Sequence, residues 1–241
     1  MMFFIAIFIV VISDNAFMPI KLVVFDMAGT TVADNGDVIV FFKKAFAESG
    51  IEVKSEDLQP VRGLKKIDAV RRVLQNVQGD AGSTLIVKIY EDFISELTGY
   101  YRTSPVVEPA PGAEEIFLWL KQCGISVTLN TGFPRPVADT IMNRFQWQQK
   151  GLVDEYISGD EVEDGRPHPF MIRQLMKNAD CIHSNEVAKV GDTPVDIEEG
   201  RNAACGLVVG ITTGASSRTV LEKSKPDYII DHLTELTSLI N

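Results

Sequence analysis

A short apolar run that leads directly into an acidic residue constrains this chain more than any other feature. Residues 21–32 read Lys-Leu-Val-Val-Phe-Asp-Met-Ala-Gly-Thr-Thr-Val, so four apolar residues precede Asp26. Such a run, bounded by turn residues, is typical of a strand buried on both faces of a parallel sheet. Ligands of these sheets bind at the carboxyl ends of strands, where Asp26 is a candidate nucleophile. The alternative interpretation is an Asp that only caps the next element.

The residues after Asp26 suit a turn that binds an anion. Gly29 permits a tight turn, and Thr30 and Thr31 offer hydroxyl and backbone N–H groups. We therefore expect Gly29 and Thr30 to contact the substrate.

Beyond residue 105, strand-like runs alternate with helix-like segments. Two of the runs end in polar turn residues, at Thr131-Gly132 and at Gly191-Asp192. Alternating strands and helices imply right-handed crossovers and a parallel sheet with helices on both faces. The predicted fold class is α/β, a doubly wound parallel sheet with an inserted helical cap domain.

The cap is predicted from a change of pattern between the first strand and residue 105. Apolar residues there recur at helix spacing, in two sets: Ile67, Val70, Leu74 and Val77, then Ile86, Ile89, Phe93 and Leu97. We therefore assign residues 36–104 to the cap, and residues 18–35 and 105–241 to the α/β core.

Charge and cysteine content narrow the function classes. The net charge of −10 argues against a nucleic-acid partner, which requires a basic surface. The three cysteines have neither disulfide nor metal-ligand spacing, and Cys123 and Cys205 are expected to be buried in a reducing compartment, so we expect a cytoplasmic protein.

Residues 1–17 do not fit this description. The first twelve residues are all apolar, which is too few to span a bilayer, and no Lys or Arg precedes them. We interpret residues 1–17 as an N-terminal extension that arises from an upstream start. The alternative is a signal or anchor, which is the one route to a membrane association.

Several polar residues follow separate predicted strands or enter helices, and they should converge at one edge of the sheet. The members of this set are Asp26, Thr131, Arg166, Asp192 and Asp196. Three crowded carboxylates repel one another unless cations neutralise them, and an oxygen-only ligand set suits Mg²⁺. Arg166 could supply a second positive charge and bind a phosphoryl group. The set predicts phosphoryl transfer to a carboxylate.

These motifs, in this order, resemble those of the haloacid dehalogenase superfamily. The resemblance implies a nucleophilic Asp26, with Thr131 and Arg166 binding phosphoryl oxygens. It also implies Mg²⁺ held by Asp26, the Ala28 carbonyl and Asp192. Phosphatases of the superfamily have a second Asp two residues after the nucleophile, which protonates an alkoxide leaving group. Here that position is Ala28.

An alanine at that position resembles the phosphonoacetaldehyde hydrolase family, or phosphonatases, in which a cap lysine forms an imine with the substrate. The segment Gly63-Leu-Lys-Lys-Ile-Asp68 is similar to the family's lysine motif and places Lys66 at the imine-forming position. A reactive lysine needs a lowered pKa, and we expect Arg62, on the same helix face, to contribute to it. The resemblance is not complete, because a histidine of that motif is replaced by Ala69. We expect Gly132 and Arg62 to contact the substrate.

The leading hypothesis is therefore a Mg²⁺-dependent hydrolase that cleaves the P–C bond of phosphonoacetaldehyde or a similar 2-oxo-phosphonate through a lysine imine. One alternative is a phosphatase that acts on a small phosphomonoester such as phosphoglycolate. The other is a metal-binding or partner-binding protein without catalysis. The phosphonatase resemblance also implies a homodimer formed through the cap.

Overall fold

A six-stranded parallel sheet forms the centre of the molecule. The computed structural model describes residues 19–79 and 81–240, so the interpretation of residues 1–17 lies outside it. The strands are β1 Leu22–Asp26, β2 Ser126–Thr131, β3 Glu155–Ser158, β4 Val187–Gly191, β5 Leu207–Ile211 and β6 Tyr228–Ile230. Their order is β3-β2-β1-β4-β5-β6, and all neighbours are parallel. The doubly wound α/β sheet is confirmed.

The described part of the chain has nine α-helices: four lie between residues 37 and 103, and five lie between residues 113 and 223. The first four are α1 Asp37–Glu48, α2 Ser55–Leu58, α3 Lys66–Gln78 and α4 Ser83–Thr103. The others are α5 Ala113–Gln122, α6 Arg135–Phe145, α7 Phe170–Asn178, α8 Pro194–Asn202 and α9 Arg218–Lys223. No helix within residues 19–79 and 81–240 has both the length and the apolar character needed to cross a membrane.

Strand β1 is buried on both faces because its side chains alternate between two apolar clusters. Val23 and Phe25 belong to the cluster that includes residues of α5 and α6, whereas Leu22 and Val24 pack with residues of α7 and α8. Alternating side chains of a strand point to opposite faces, so a run of apolar residues is what a central strand requires. Asp26 ends this strand at the centre of the sheet.

Helices α1 to α4 lie between β1 and α5 in the chain, within the range 36–104 assigned to the cap. Among the described residues from 37 to 103 no strand occurs. Their apolar faces join one another, as Phe42 of α1 contacts Phe93 of α4 with ring centroids 4.7 Å apart. The domain boundaries themselves stay a prediction. Below, the cap denotes helices α1 to α4 with the segments between them, and the core denotes the sheet with helices α5 to α9.

Strand β2 runs to Thr131, since Asn130 and Thr131 pair with β3. One local expectation needs correction. Cys123 is exposed, since it follows the last residue of α5 at the surface. Cys205 is buried as expected.

Candidate active site

Three carboxylates meet at the carboxyl end of the sheet. Asp26 ends β1, Asp192 follows β4, and Asp196 lies in the first turn of α8. One oxygen from each lies within 4.8 Å of the other two, and all three side chains are buried. The parallel arrangement brings them together because β1 and β4 are neighbours in the sheet.

Arg166 lies in the middle of this acidic cluster and is 3% exposed. Its Nη1 is 2.6 Å from Asp26 Oδ1 and 2.9 Å from Asp196 Oδ1, and its Nε donates to Glu199 at 3.0 Å. The neighbouring acids raise the pKa of Arg166 against the opposing effect of burial. The guanidinium is therefore a fixed positive charge beside the candidate nucleophile.

A second buried cation was not predicted from the sequence. Lys189 of β4 is fully buried, and its Nζ lies 3.0 Å from Asp196 Oδ1 and 2.7 Å from Asn130 Oδ1. The amide nitrogen of Asn130 donates to both oxygens of Glu199, at 2.8 and 2.9 Å. The available signal was a lysine inside the apolar run Val187-Ala-Lys-Val-Gly191, since a buried lysine requires acidic partners.

Arg166 and Lys189 pair with the other acids of the cluster, so Asp192 has no cationic partner among the described residues. Its oxygens accept hydrogen bonds from the Ala215 N–H at 2.5 Å and the Thr30 hydroxyl at 3.3 Å. Burial, Asp26 and Asp196 together raise its pKa well above the usual range. Burial also raises the pKa of Asp26, although Arg166 opposes this shift. An added cation would relieve both effects.

The donor set suits a divalent cation that prefers oxygen ligands. Asp26 and Asp192 offer carboxylate oxygens, and Ala28 lines the same pocket. Asp196 is engaged elsewhere: Thr193 donates to its Oδ2, and Arg166 and Lys189 contact its Oδ1. These two cations lower the pKa of Asp196 although burial acts in the opposite direction.

The structure gives Gly29 and Thr30 a different place from the one predicted. Neither lines the pocket, and their N–H groups donate within the turn, to Val32 and Met27. Gly29 has a φ of 90°, and a Cβ there would lie 2.6 Å from Asp192 Oδ2. Glycine is therefore needed so that Asp192 can approach the turn, and Thr30 orients Asp192. That both residues contact substrate stays a prediction.

Lys66 enters the pocket from the cap side. It is the first residue of α3 and is 7% exposed. Its Nζ donates to the Leu64 carbonyl at 3.2 Å and lies 5.1 Å from the centre of the Phe133 ring. Burial lowers its pKa to about 8; Asp26 opposes this shift and Arg166 adds to it. The side chain thus has a larger neutral fraction than an exposed lysine near pH 7.

Arg62 does not act on Lys66 as predicted. Helix α3 begins at Lys66, so the two residues do not share a helix face, and Arg62 instead ends a 3-10 turn at 59–61. Its Nη1 donates to the Ala215 carbonyl at 3.0 Å. Burial and Arg166 lower the pKa of Lys66, and Arg62 is not among the main causes. Arg62 does line the pocket, as a substrate contact requires.

The cap lies directly on the core beside Lys66. The Lys66 N–H donates to the Gly132 carbonyl at 3.2 Å, and a Cβ on Gly132 would collide with the carbonyls of Leu64 and Gly63. Lys65 points the other way, and its Nζ donates to the Val162 carbonyl at 3.2 Å, in the loop that leads to Arg166. This contact between cap and core therefore requires glycine at residue 132.

The pocket between core and cap has a cavity volume of about 60 Å³. It brings together Asp26, Ala28, Arg62, Lys66, Thr131, Gly132, Arg166 and Asp192 from the predicted site, with Asp34, Phe133, Thr193 and Ala215 among its other residues. The Thr131 Oγ1 accepts from the Phe133 N–H at 3.1 Å. Asp196 lies outside this lining, where it contacts Arg166 and Lys189, and its catalytic role stays a prediction.

Comparisons with known proteins agree with this geometry. The model of the haloacid dehalogenase-like hydrolase family matches residues 23–211. A phosphonoacetaldehyde hydrolase from Bacillus cereus is 32% identical over 222 residues, which span 86% of this chain and 81% of that protein. One from Bacillus cytotoxicus is 30% identical over the same length and coverage.

Solved structures show the same fold. A phosphonoacetaldehyde hydrolase-like protein from Oleispira antarctica aligns with a TM-score of 0.78 at 23% identity, covering 92% of this chain and 91% of that one. A predicted phosphoglycolate phosphatase from Haemophilus somnus aligns with a TM-score of 0.77 at 21% identity, covering 91% and 97%. At these identities the likeness concerns the fold alone.

Proposed function

Since the chain belongs to the haloacid dehalogenase-like hydrolase family, we propose that it is a phosphonatase-type hydrolase that cleaves the P–C bond of a 2-oxo-phosphonate. The observation that carries the proposal is a buried amine, Lys66, which lines one pocket with Asp26 and has a pKa of about 8. The names of the Bacillus relatives agree with it.

The core half of the pocket would bind and transfer the phosphoryl group. Asp26 attacks phosphorus, and Arg166 and Thr131 contact the phosphoryl oxygens in this proposal. The bonds of Arg166 to Asp196 and Glu199 hold its guanidinium beside Asp26, where this proposal puts the negative charge of the transition state. Asp26, Asp192 and the Ala28 carbonyl would hold Mg²⁺, which would neutralise part of that charge when bound.

The cap half would activate the carbon that leaves. The neutral Lys66 amine attacks the substrate carbonyl, one proton is taken up from solvent and water departs, which gives an iminium ion that withdraws electrons from the P–C bond. The phosphoryl group passes to Asp26, and carbon leaves as an enamine. Water then hydrolyses the aspartyl-phosphate and the imine. No oxygen leaving group needs a proton in this route. This agrees with Ala28, which lines the pocket at the position where phosphatases of the superfamily have a general acid.

A phosphomonoester hydrolase is the second candidate. The buried side chain one turn after Lys66 is Ala69, which offers no proton-transfer group for imine formation. With Ala28 in place of an acid, however, a phosphatase would lack a general acid worth ~10²–10⁴-fold in rate. This candidate therefore needs a phosphomonoester with a good leaving group.

Borohydride reduction in the presence of phosphonoacetaldehyde tests the proposal. We expect a covalent adduct that maps to Lys66 by mass spectrometry, and no adduct in Lys66→Ala. Replacing Lys66 should lower phosphate release from the phosphonate by at least ~10³-fold, because the covalent route is lost. Lys54→Ala, an exposed cap lysine, is the matched control. Unchanged activity of Lys66→Ala towards both substrate classes would exclude the imine route.

A further inference from the structure

A second recess lies beside Lys66 within the cap. Its cavity volume is about 30 Å³, and it has six apolar wall residues from α1, from α3 and from the segment between them: Val38, Ile39, Phe42, Leu58, Val61 and Ala69. Phe42 is 5% exposed and Ala69 is 1% exposed, so the walls belong to the packed interior of the cap. An apolar recess of this kind favours an apolar occupant.

The recess adjoins the pocket that holds Asp26. Four residues line both spaces: Val38, Ile39, Arg62 and Lys66. The two charged members, Lys66 and Arg62, are shared, so they lie at the boundary between the polar and the apolar space. A ligand that reaches Lys66 from the core side can therefore extend past the amine into apolar surroundings.

From this we propose that the recess holds an aliphatic group attached to the carbonyl carbon of the substrate, so that the preferred substrates are 2-oxoalkylphosphonates. This inference rests on the proposed function. In such a molecule the carbonyl carbon carries the CH₂–phosphonate on one side and an alkyl group on the other. When Lys66 bonds to that carbon, the alkyl group is directly beside its Nζ, which is where the recess begins.

The reaction balances without any further reactant. Lys66 and the ketone form an imine and release water, and the P–C bond then breaks with its electron pair moving to carbon. Asp26 accepts the phosphoryl group, and the resulting enamine gains a proton on its terminal carbon. One water restores Lys66 and one restores Asp26. The net change is the conversion of a 2-oxoalkylphosphonate and one water into a methyl ketone and phosphate.

The test is a series of ketones with methyl, ethyl and propyl groups, assayed by phosphate release with the full chain and Mg²⁺. We expect kcat/KM to rise roughly fourfold for each methylene that fits into the recess, the gain expected when one CH₂ is buried. Phosphonoacetaldehyde is the reference, and 3-phosphono-2-oxopropanoate tests whether Arg62 selects a carboxylate instead. A higher rate with that acid, or rates that stay level or fall along the series, would overturn the inference.

Variants in the walls of the recess test whether the preference for chain length depends on the recess and not on the rest of the site. Ala69→Phe should fill the recess and abolish the gain with chain length, while activity towards the methyl ketone falls less than that towards the propyl ketone. Val77→Phe, an exposed position on the same helix, is the matched control. Phe42→Leu, which enlarges the recess, should shift the preference towards longer chains, and it decides the matter if Ala69→Phe fails to fold.

The outcome for this inference can be told apart from that for the proposed function. If no 2-oxo-phosphonate is cleaved and none is trapped on Lys66, the proposed function fails and the inference fails with it. If phosphonoacetaldehyde is cleaved and trapped but longer ketones are not, only the inference fails. A rise along the ketone series that Ala69→Phe removes and Val77→Phe preserves supports both.

Discussion

The core half and the cap half of the pocket are held in different ways. In the core half, Arg166 alone makes hydrogen bonds or ion pairs to Asp26, Asn130, Asp196 and Glu199. In the cap half, the Lys66 amine makes one hydrogen bond to the described residues, to the Leu64 carbonyl. A group with several buried partners is held rigidly, whereas one with a single backbone partner is easily displaced. The core half is therefore preorganised, whereas the amine, which the proposed function needs as a nucleophile, is held by fewer bonds.

Removing the nucleophile should have the largest effect and should separate the two halves. Asp26→Asn is expected to lower phosphate release by at least ~10³-fold, because an amide cannot accept the phosphoryl group. Borohydride trapping on Lys66 should persist, since the imine forms before phosphoryl transfer. Asp34→Asn, which changes another acid of the pocket lining, is the control and should lose far less activity. Full activity in Asp26→Asn would contradict the assignment, and loss of trapping would show that the halves are not independent.

Breaking the buried network should lower the stability of the core half. Lys189→Met leaves Asp196 and Glu199 with one cation fewer and should reduce the free energy of unfolding by about 3–5 kcal/mol. Lys121→Met removes the exposed pair with Asp154 and should cost less than about 1 kcal/mol. Urea unfolding of both variants checks the difference. Equal stabilities would mean that the network is not the rigid part of the site.

The reactivity of Lys66 in the cap half should increase as the pH rises to mildly alkaline values. Burial disfavours the charged form of Lys66 and lowers its pKa to about 8, so the neutral fraction increases as the pH rises through that value. We expect the rate of imine trapping to rise about tenfold per pH unit below pH 8 and to level off above it. The rate is measured with the borohydride assay between pH 6 and 10. A midpoint near 10.5, the ordinary value for lysine, would show that the amine is not buried in solution.

Weakening the contact between cap and core should have the smallest effect. Lys65→Ala removes hydrogen bonds to the Val162 and Glu163 carbonyls and should slow trapping on Lys66 about fivefold, the effect of roughly 1 kcal/mol. The pH midpoint should stay near 8, because Lys65 does not surround the amine. Lys54→Ala again serves as the control. A shift of the midpoint without a change in the limiting rate would show that Lys65 acts on burial and not on closure.

The same comparison explains how far the sequence could predict the site. The positions of Asp26, Thr131 and Asp192 were predictable because parallel strands end at one edge of the sheet, and the sequence marks each strand end with a polar residue. Lys189 was missed because its pattern is that of a strand residue. Its partners Asp196 and Glu199 come from the next helix, and which strand face they cover is a property of the packed fold.

The cap half was harder to predict because it depends on where one helix starts. Placing Arg62 and Lys66 on one helix face required α3 to begin before Lys66, and helix ends are the least certain part of a pattern. The chain instead turns at Gly63, whose φ is 77°. The contact of Arg62 with Ala215 joins residues distant in the chain, and no local spacing indicates it.

Gly132 shows what this arrangement demands of the chain. The carbonyls of Gly63 and Leu64 occupy the space where a side chain would begin. At this point the cap and the core meet backbone to backbone. A single methyl group there would push the two apart, so the fit between them depends on an atom that the chain leaves out.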